Sequence, residues 1–255
     1  MTRFNSTKKN LVTLLSYGVL FFSSSAAHSL SKPWFEFSAD LQRKVYTEPD
    51  VMNEKGLLSG FGLEAGTQLG NLVSVSAKAE FYFGSLHYTG STFDGDPIQT
   101  DTKDQIRKYH AKIYLGQENF QFITGYSQRF WSNDLVISYL RETTYHYIPF
   151  VFQYRTNKWK MSAGYNYFLK GLNKSYLSEV DPNRSDVQLK QNDGVGYELH
   201  ASTKINSAAN TDIWLHLSYE YWNIKDSEVV SDGVDDLVEP ANNTHVYALG
   251  LSFVL

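Results

Sequence analysis

The chain contains no cysteine among its 255 residues. That excludes a disulfide framework, a lipid-modified cysteine and thiolate metal sites. Beyond residue 30 there is no run of roughly 18 apolar residues, so helices crossing a bilayer are excluded as the basis of the fold. Positive charge is also in deficit, with 23 Lys plus Arg against 27 Asp plus Glu, a poor balance for binding nucleic acid. What the chain does have is apolar and aromatic surface: 42% of its residues are hydrophobic, and 18 Tyr, 16 Phe and 5 Trp are among them. That is enough to build an ordered structure of one large domain or two small ones.

The first 27 residues differ from the rest. Arg3, Lys8 and Lys9 precede the apolar stretch LVTLLSYGVLFF, and the small residues SSSAA follow it. This is the pattern of a secretory signal peptide cleaved after Ala27, since the apolar run is too short for an ordinary spanning helix. The expected division is therefore a signal peptide at 1–27 and one domain at 28–255. Removal of the leader leaves 20 Lys plus Arg against 27 Asp plus Glu, a net charge near −7. An exported chain without cysteine suits a bacterial envelope better than a disulfide-stapled extracellular module.

After the leader, a period of two dominates. In VSVSAKAEFYF, Val73, Val75, Ala77, Ala79, Phe81 and Phe83 share one face, and Ser74, Ser76, Lys78, Glu80 and Tyr82 the other. Similar alternation recurs in ten stretches, the last being HVYALGLSFVL, where Tyr247, Leu249, Leu251, Phe253 and Leu255 alternate with small residues. The connections alternate in length too. Gly70-Asn71, 117–119, 156–158 and 206–210 are brief, whereas 46–56, 87–105, 131–143, 170–193 and 223–243 are long and polar. A sheet inserted through a membrane from one side has this asymmetry, short turns at its near end and long loops at its far end. The pattern predicts an all-β, ten-stranded antiparallel up-and-down transmembrane β-barrel, with short periplasmic turns and long extracellular loops. Its last strand must pair with its first, because an open edge in hydrocarbon leaves backbone groups unsatisfied.

The leader, the even strand number and the final alternating strand with Phe253 and Leu255 resemble Gram-negative outer-membrane β-barrel proteins. Ten strands with tall outer loops is also the topology of the omptin proteases. The resemblance implies outer-membrane lipid and the barrel-insertion machinery as partners, with Tyr247, Leu249, Leu251, Phe253 and Leu255 as the insertion signal. The family most often ends in an aromatic residue, and this chain ends in Leu.

Ten strands are few for an open aqueous channel, so a filled interior is expected. Parity turns Asp40, Glu64, Lys78, Glu80, Lys108, His110, Lys112, Arg129, Lys160, Glu198, His200, His216 and Glu220 inward, among others. Charges of both signs at that depth require pairing, and the hairpin at Gly70-Asn71 places Glu64 opposite Lys78. A turn centred near Ala208 sets His200 across from His216, with Glu198 and Glu220 on the same wall. Two imidazoles beside two carboxylates are interior filler or a pH-sensitive or metal-binding cluster. The acidic loop with Asp226, Glu228, Asp232, Asp235, Asp236 and Glu239 is a solvated loop or a place for divalent cations, although its spacing matches no regular calcium loop.

No stretch carries a catalytic pattern. His87 and Ser91 are too far apart along an extended chain to hydrogen-bond, and WSNDL and SDGVDDLVEP supply carboxylates without a nearby His. The expectation is a non-catalytic barrel needing no cofactor: structural, adhesive or a narrow channel. An omptin-like outer-membrane hydrolase and a soluble periplasmic binding barrel are the alternatives.

Overall fold

A computed structural model describes residues 31–91, 95–117, 119–135, 139–208 and 211–255. The expected signal peptide lies outside the described residues. The strands are β1 (Ser31–Glu48), β2 (Met52–Gln68), β3 (Val73–Ser91), β4 (Pro97–Gln117), β5 (Phe120–Leu135), β6 (Leu140–Arg155), β7 (Trp159–Ser175), β8 (Val187–Gln191), β9 (Gly194–Ala208), β10 (Thr211–Ile224), β11 (Val230–Ser231), β12 (Asp236–Leu237) and β13 (Asn242–Val254). A single 3-10 turn covers Leu177–Glu179.

Ten of these strands close a ring in the order β1-β2-β3-β4-β5-β6-β7-β9-β10-β13, each antiparallel to its neighbours. The seam is the one the alternating C-terminal stretch requires. β13 pairs with β1 from Glu36↔Val254 to Thr47↔Asn243, and Leu255 donates its N–H to the carbonyl of Phe35 at 2.9 Å. No backbone edge is left open along the wall, which is the condition for standing in hydrocarbon.

The two faces of the wall divide as the period of two dictates. Phe35, Phe37, Leu41, Phe61, Leu63, Phe83, Ile113, Phe120, Phe152, Met161, Leu199, Leu217 and Leu249 are exposed on the outside, whereas Ser38, Gln42, Glu64, Lys108, Arg129, Asn166 and Ser202 are buried within. A soluble protein has the reverse distribution, and so continuous an apolar exterior is stable only against lipid.

One end of the barrel has tight turns. The other was expected to carry five long loops, and there the ladders continue much further than the polar sequence indicates. β1 and β2 stay paired to Glu48↔Met52, leaving only 49–51 as a turn, with Asp50 at φ 62°. β3 and β4 stay paired to Ser91↔Pro97. Here the outward face carries polar residues such as His87 and Asp101 and the inward face mixes Tyr46 and Met52 with Glu48 and Glu54, so polarity does not alternate, and backbone pairing persists without an apolar signal. Among the described residues, only 176–193 and 225–241 form elaborate connections, built from β8, which extends the edge of β7, and the hairpin β11–β12.

Candidate functional site

The lumen is filled in layers, each made by side chains from several strands. Nearest the tight turns, the rings of Trp34 and Tyr114 meet edge-on at 6.0 Å. Trp34 lies across Gly66, where any Cβ would collide with the indole. Above them Glu64 accepts hydrogen bonds from Ser76 Oγ at 2.5 Å and Tyr114 Oη at 2.6 Å, with Lys112 Nζ at 3.4 Å. The register does set Glu64 opposite Lys78. The Lys78 ammonium, however, turns along its own strand to Glu80 at 2.9 Å, because Ser76, Tyr114 and Lys112 already occupy Glu64.

The expected histidine cluster is rearranged by the register of the β9–β10 hairpin. His216 pairs in register with Ser202, and His200 with Ser218, because Ala208 already pairs with Thr211, so the turn is centred beyond Ala208, and the slip between Ile213 and Trp214 recovers only one residue of the difference. The two imidazoles therefore lie diagonally, with ring centroids 5.7 Å apart. His216 Nε2 and Asp40 Oδ1 are 2.5 Å apart, in the space left by Gly250. Glu198 and Glu220 are register partners on one wall, as expected, yet they face different groups: Glu198 accepts from Asn166 Nδ2 at 3.0 Å, and Glu220 reaches across the barrel. The four residues do not converge on a common point. Among the described residues, no group of three or more His, Cys, Asp or Glu is arranged to hold a metal ion.

Two ionic bars cross the lumen. Glu220 on β10 binds Lys108 on β4, five places away around a ring of ten. Arg129 Nη1 is 3.7 Å from the same carboxylate, and Trp222 donates its indole N–H to it. Nearer the loop end, Arg141 on β6 reaches Glu48 on β1 at 3.2 Å and Glu54 on β2 at 3.8 Å; β6 and β1 are again five places apart. The second bar escaped the sequence pattern because 46–56 and 131–143 read as loops. Between the bars, Lys44 lies under the face of Trp131, 2.7 Å from its centroid, and Trp131 donates to Asp104 at 2.6 Å. Tyr46, Met52, Leu58, Tyr82, Leu86 and Ile106 pack around that indole. Trp159 faces outward, whereas Trp131 and Trp222 are wholly buried.

The acidic loop is not free in solvent. Arg184 binds Asp232 at 2.7 Å and Asp235 at 2.6 Å, and Ser185 donates its N–H to the carbonyl of Asp232. Val230 and Leu237 pack on Leu177, Val187, Leu189 and Tyr139, so 176–193 and 225–241 form one cap. Glu239 is buried beneath it, 3.4 Å from Tyr46 Oη, which donates to Glu48 at 2.8 Å. Burial, with the Glu48 carboxylate adding to it against the pull of Arg141, raises the Glu239 carboxyl well above the usual carboxylate range.

A closed ring of ten antiparallel strands, apolar outside and charged within, defines an outer-membrane-type β-barrel. The outer-membrane protease OmpT from Escherichia coli has this fold, with a TM-score of 0.51 at 12% identity over 91% of this chain and 99% of that one. Neisserial surface protein A (TM-score 0.38, 11% identity, 86% of this chain and 95% of that one) and the attachment invasion locus protein Ail of Yersinia pestis (0.34, 10%, 88% and 99%) are too loosely similar to carry an argument. No protein-family description and no curated protein sequence matches the chain. The likeness to OmpT shows the fold and no activity.

Proposed function

We propose that this chain is exported by its leader, inserted into the outer membrane of a Gram-negative bacterium, and acts there as a sealed, non-catalytic barrel that presents its loop end to the outside. The observation that carries this reading is the pair of ionic bars, Lys108–Glu220 and Arg141–Glu48, each joining opposite walls. A barrel braced at two heights is a rigid post rather than a pore. The distribution of histidines supports the absence of hydrolysis. Near the loop end, His87 lies 3.1 Å from Asp101, but both point outward and are exposed, away from Glu48, Glu54 and Asp104 inside the rim. His110, His200 and His216 are packed in the filled lumen, where a substrate has no access.

Membrane fractionation and planar-bilayer recording test this together. The protein should fractionate with the outer membrane, run at different mobility on a detergent gel before and after boiling, and give no stable conductance. Recovery in the soluble periplasm would overturn the membrane reading. A stable conductance whose ion selectivity changes on Glu220→Gln would overturn the sealed one.

A further inference from the structure

The hairpin β11–β12 covers one apolar face, and valines at its ends and tip are left exposed. Val230 and Leu237, partners in register, face the cap core. Val229 and Val238 flank the two strands beside the face that carries Ser231 and Asp236 and are 65% and 45% exposed, and Val234 at the tip of the hairpin is 56% exposed. None of these valines contributes to the core, and none stands in the lipid-facing band. The hairpin is also held in place: Arg184 grips Asp232 and Asp235, Asn192 donates to Glu228 at 3.1 Å, and Ser227 donates its N–H to the carbonyl of Glu239 while its hydroxyl accepts the Glu239 N–H. The uncovered face is therefore preorganised, which lowers the entropy cost of binding to it.

Its surroundings specify the occupant. Asp226, Glu228 and Asp236 flank the valines along the chain, Asp235 being held by Arg184, and Lys225 is the only basic residue of 225–241. An acidic rim repels anionic lipid headgroups and phosphates. Residues 226–238 contain no aromatic side chain on which a sugar ring could stack. We propose that the outward face of β11–β12 is a docking surface for a protein segment that is both apolar and basic. Its apolar side chains cover Val229, Val234 and Val238 while its Lys or Arg side chains meet the acidic rim. This rests on the reading of the loop end as extracellular, and it gives the barrel a partner of defined chemistry.

The test uses the full barrel in lipid nanodiscs and fluorescent peptides of alternating Lys-Val, Lys-Ser and Glu-Val, followed by polarisation. Lys-Val should bind saturably, and the other two far more weakly. Val229→Thr/Val238→Thr, which keeps side-chain shape, should weaken Lys-Val binding about tenfold or more. Asp226→Asn/Glu228→Gln/Asp236→Asn should weaken it and flatten its salt dependence. Equal binding of Lys-Ser, an unchanged affinity in the valine variant, or no binding of Lys-Val would overturn the proposal. Gel mobility before and after boiling shows that each variant is a folded barrel, so a failure here is separable from failure of the membrane reading.

Discussion

Glu220 answers two cations at once, and this makes the inner bar asymmetric. Its carboxylate takes Lys108 from the far wall, Arg129 at 3.7 Å and the Trp222 indole N–H. Glu220→Ala leaves Lys108 and Arg129 buried without an acceptor, both under a tenth exposed. Breaking a buried pair in this way costs about 3–5 kcal/mol. Lys108→Met is milder, because Glu220 keeps Arg129 and Trp222, and the loss is that of one charge-assisted bond, about 1.5–3 kcal/mol. In the double variant the Lys108 charge is no longer stranded, so its cost should fall short of the sum of the single costs by about 1–3 kcal/mol. The assay is urea unfolding in lipid vesicles, followed by tryptophan fluorescence and by the folded fraction on unboiled gels. Equal costs for Lys108→Met and Glu220→Ala, or strict additivity in the double variant, would refute the cross-lumen bar.

Gly250→Val puts side-chain atoms into the space between Asp40 and His216, and overpacking of this kind costs about 1–3 kcal/mol; the same urea series should show it, and an unchanged midpoint would mean that the pair can move aside. Because the folded carboxyl of Glu239 is raised, the folded state holds a proton that the unfolded chain releases. The stability from this group is therefore full below the ordinary Glu range near pH 4.3 and declines as pH rises towards the raised folded value. Glu239→Gln should flatten that decline in hydrogen exchange of 225–241, and an identical pH profile in both proteins would remove Glu239 as its source. Leu251→Asp/Phe253→Asp sets two charges on the outer face of the closing strand and should abolish recovery in the outer membrane; normal levels would argue against this strand carrying the insertion signal.

Much of the wall was written in the sequence, because side-chain direction in a strand has a period of two and lipid on one side makes that period visible as hydrophobicity. The pairing of the stretch ending at Leu255 with β1, the four tight turns and the inward direction of Glu64, His200, His216 and Glu220 follow from local alternation and from the rule that a membrane sheet cannot keep an edge. Beyond the hydrocarbon the signal stops. There the outward face of β1–β4 is polar and the inward face mixes Tyr46 and Met52 with Glu48 and Glu54, so strands as long as Ser31–Glu48 and Val73–Ser91 read as if they ended early. What the lumen contains was decided by closure. Lys108 and Glu220 are 112 residues apart and meet only because β4 and β10 stand on opposite sides of the ring. Periodicity states which way a side chain points, but its partner across a closed barrel depends on strand number and register, and it is the register of β9 with β10, turning beyond Ala208, that sets His200 diagonal to His216.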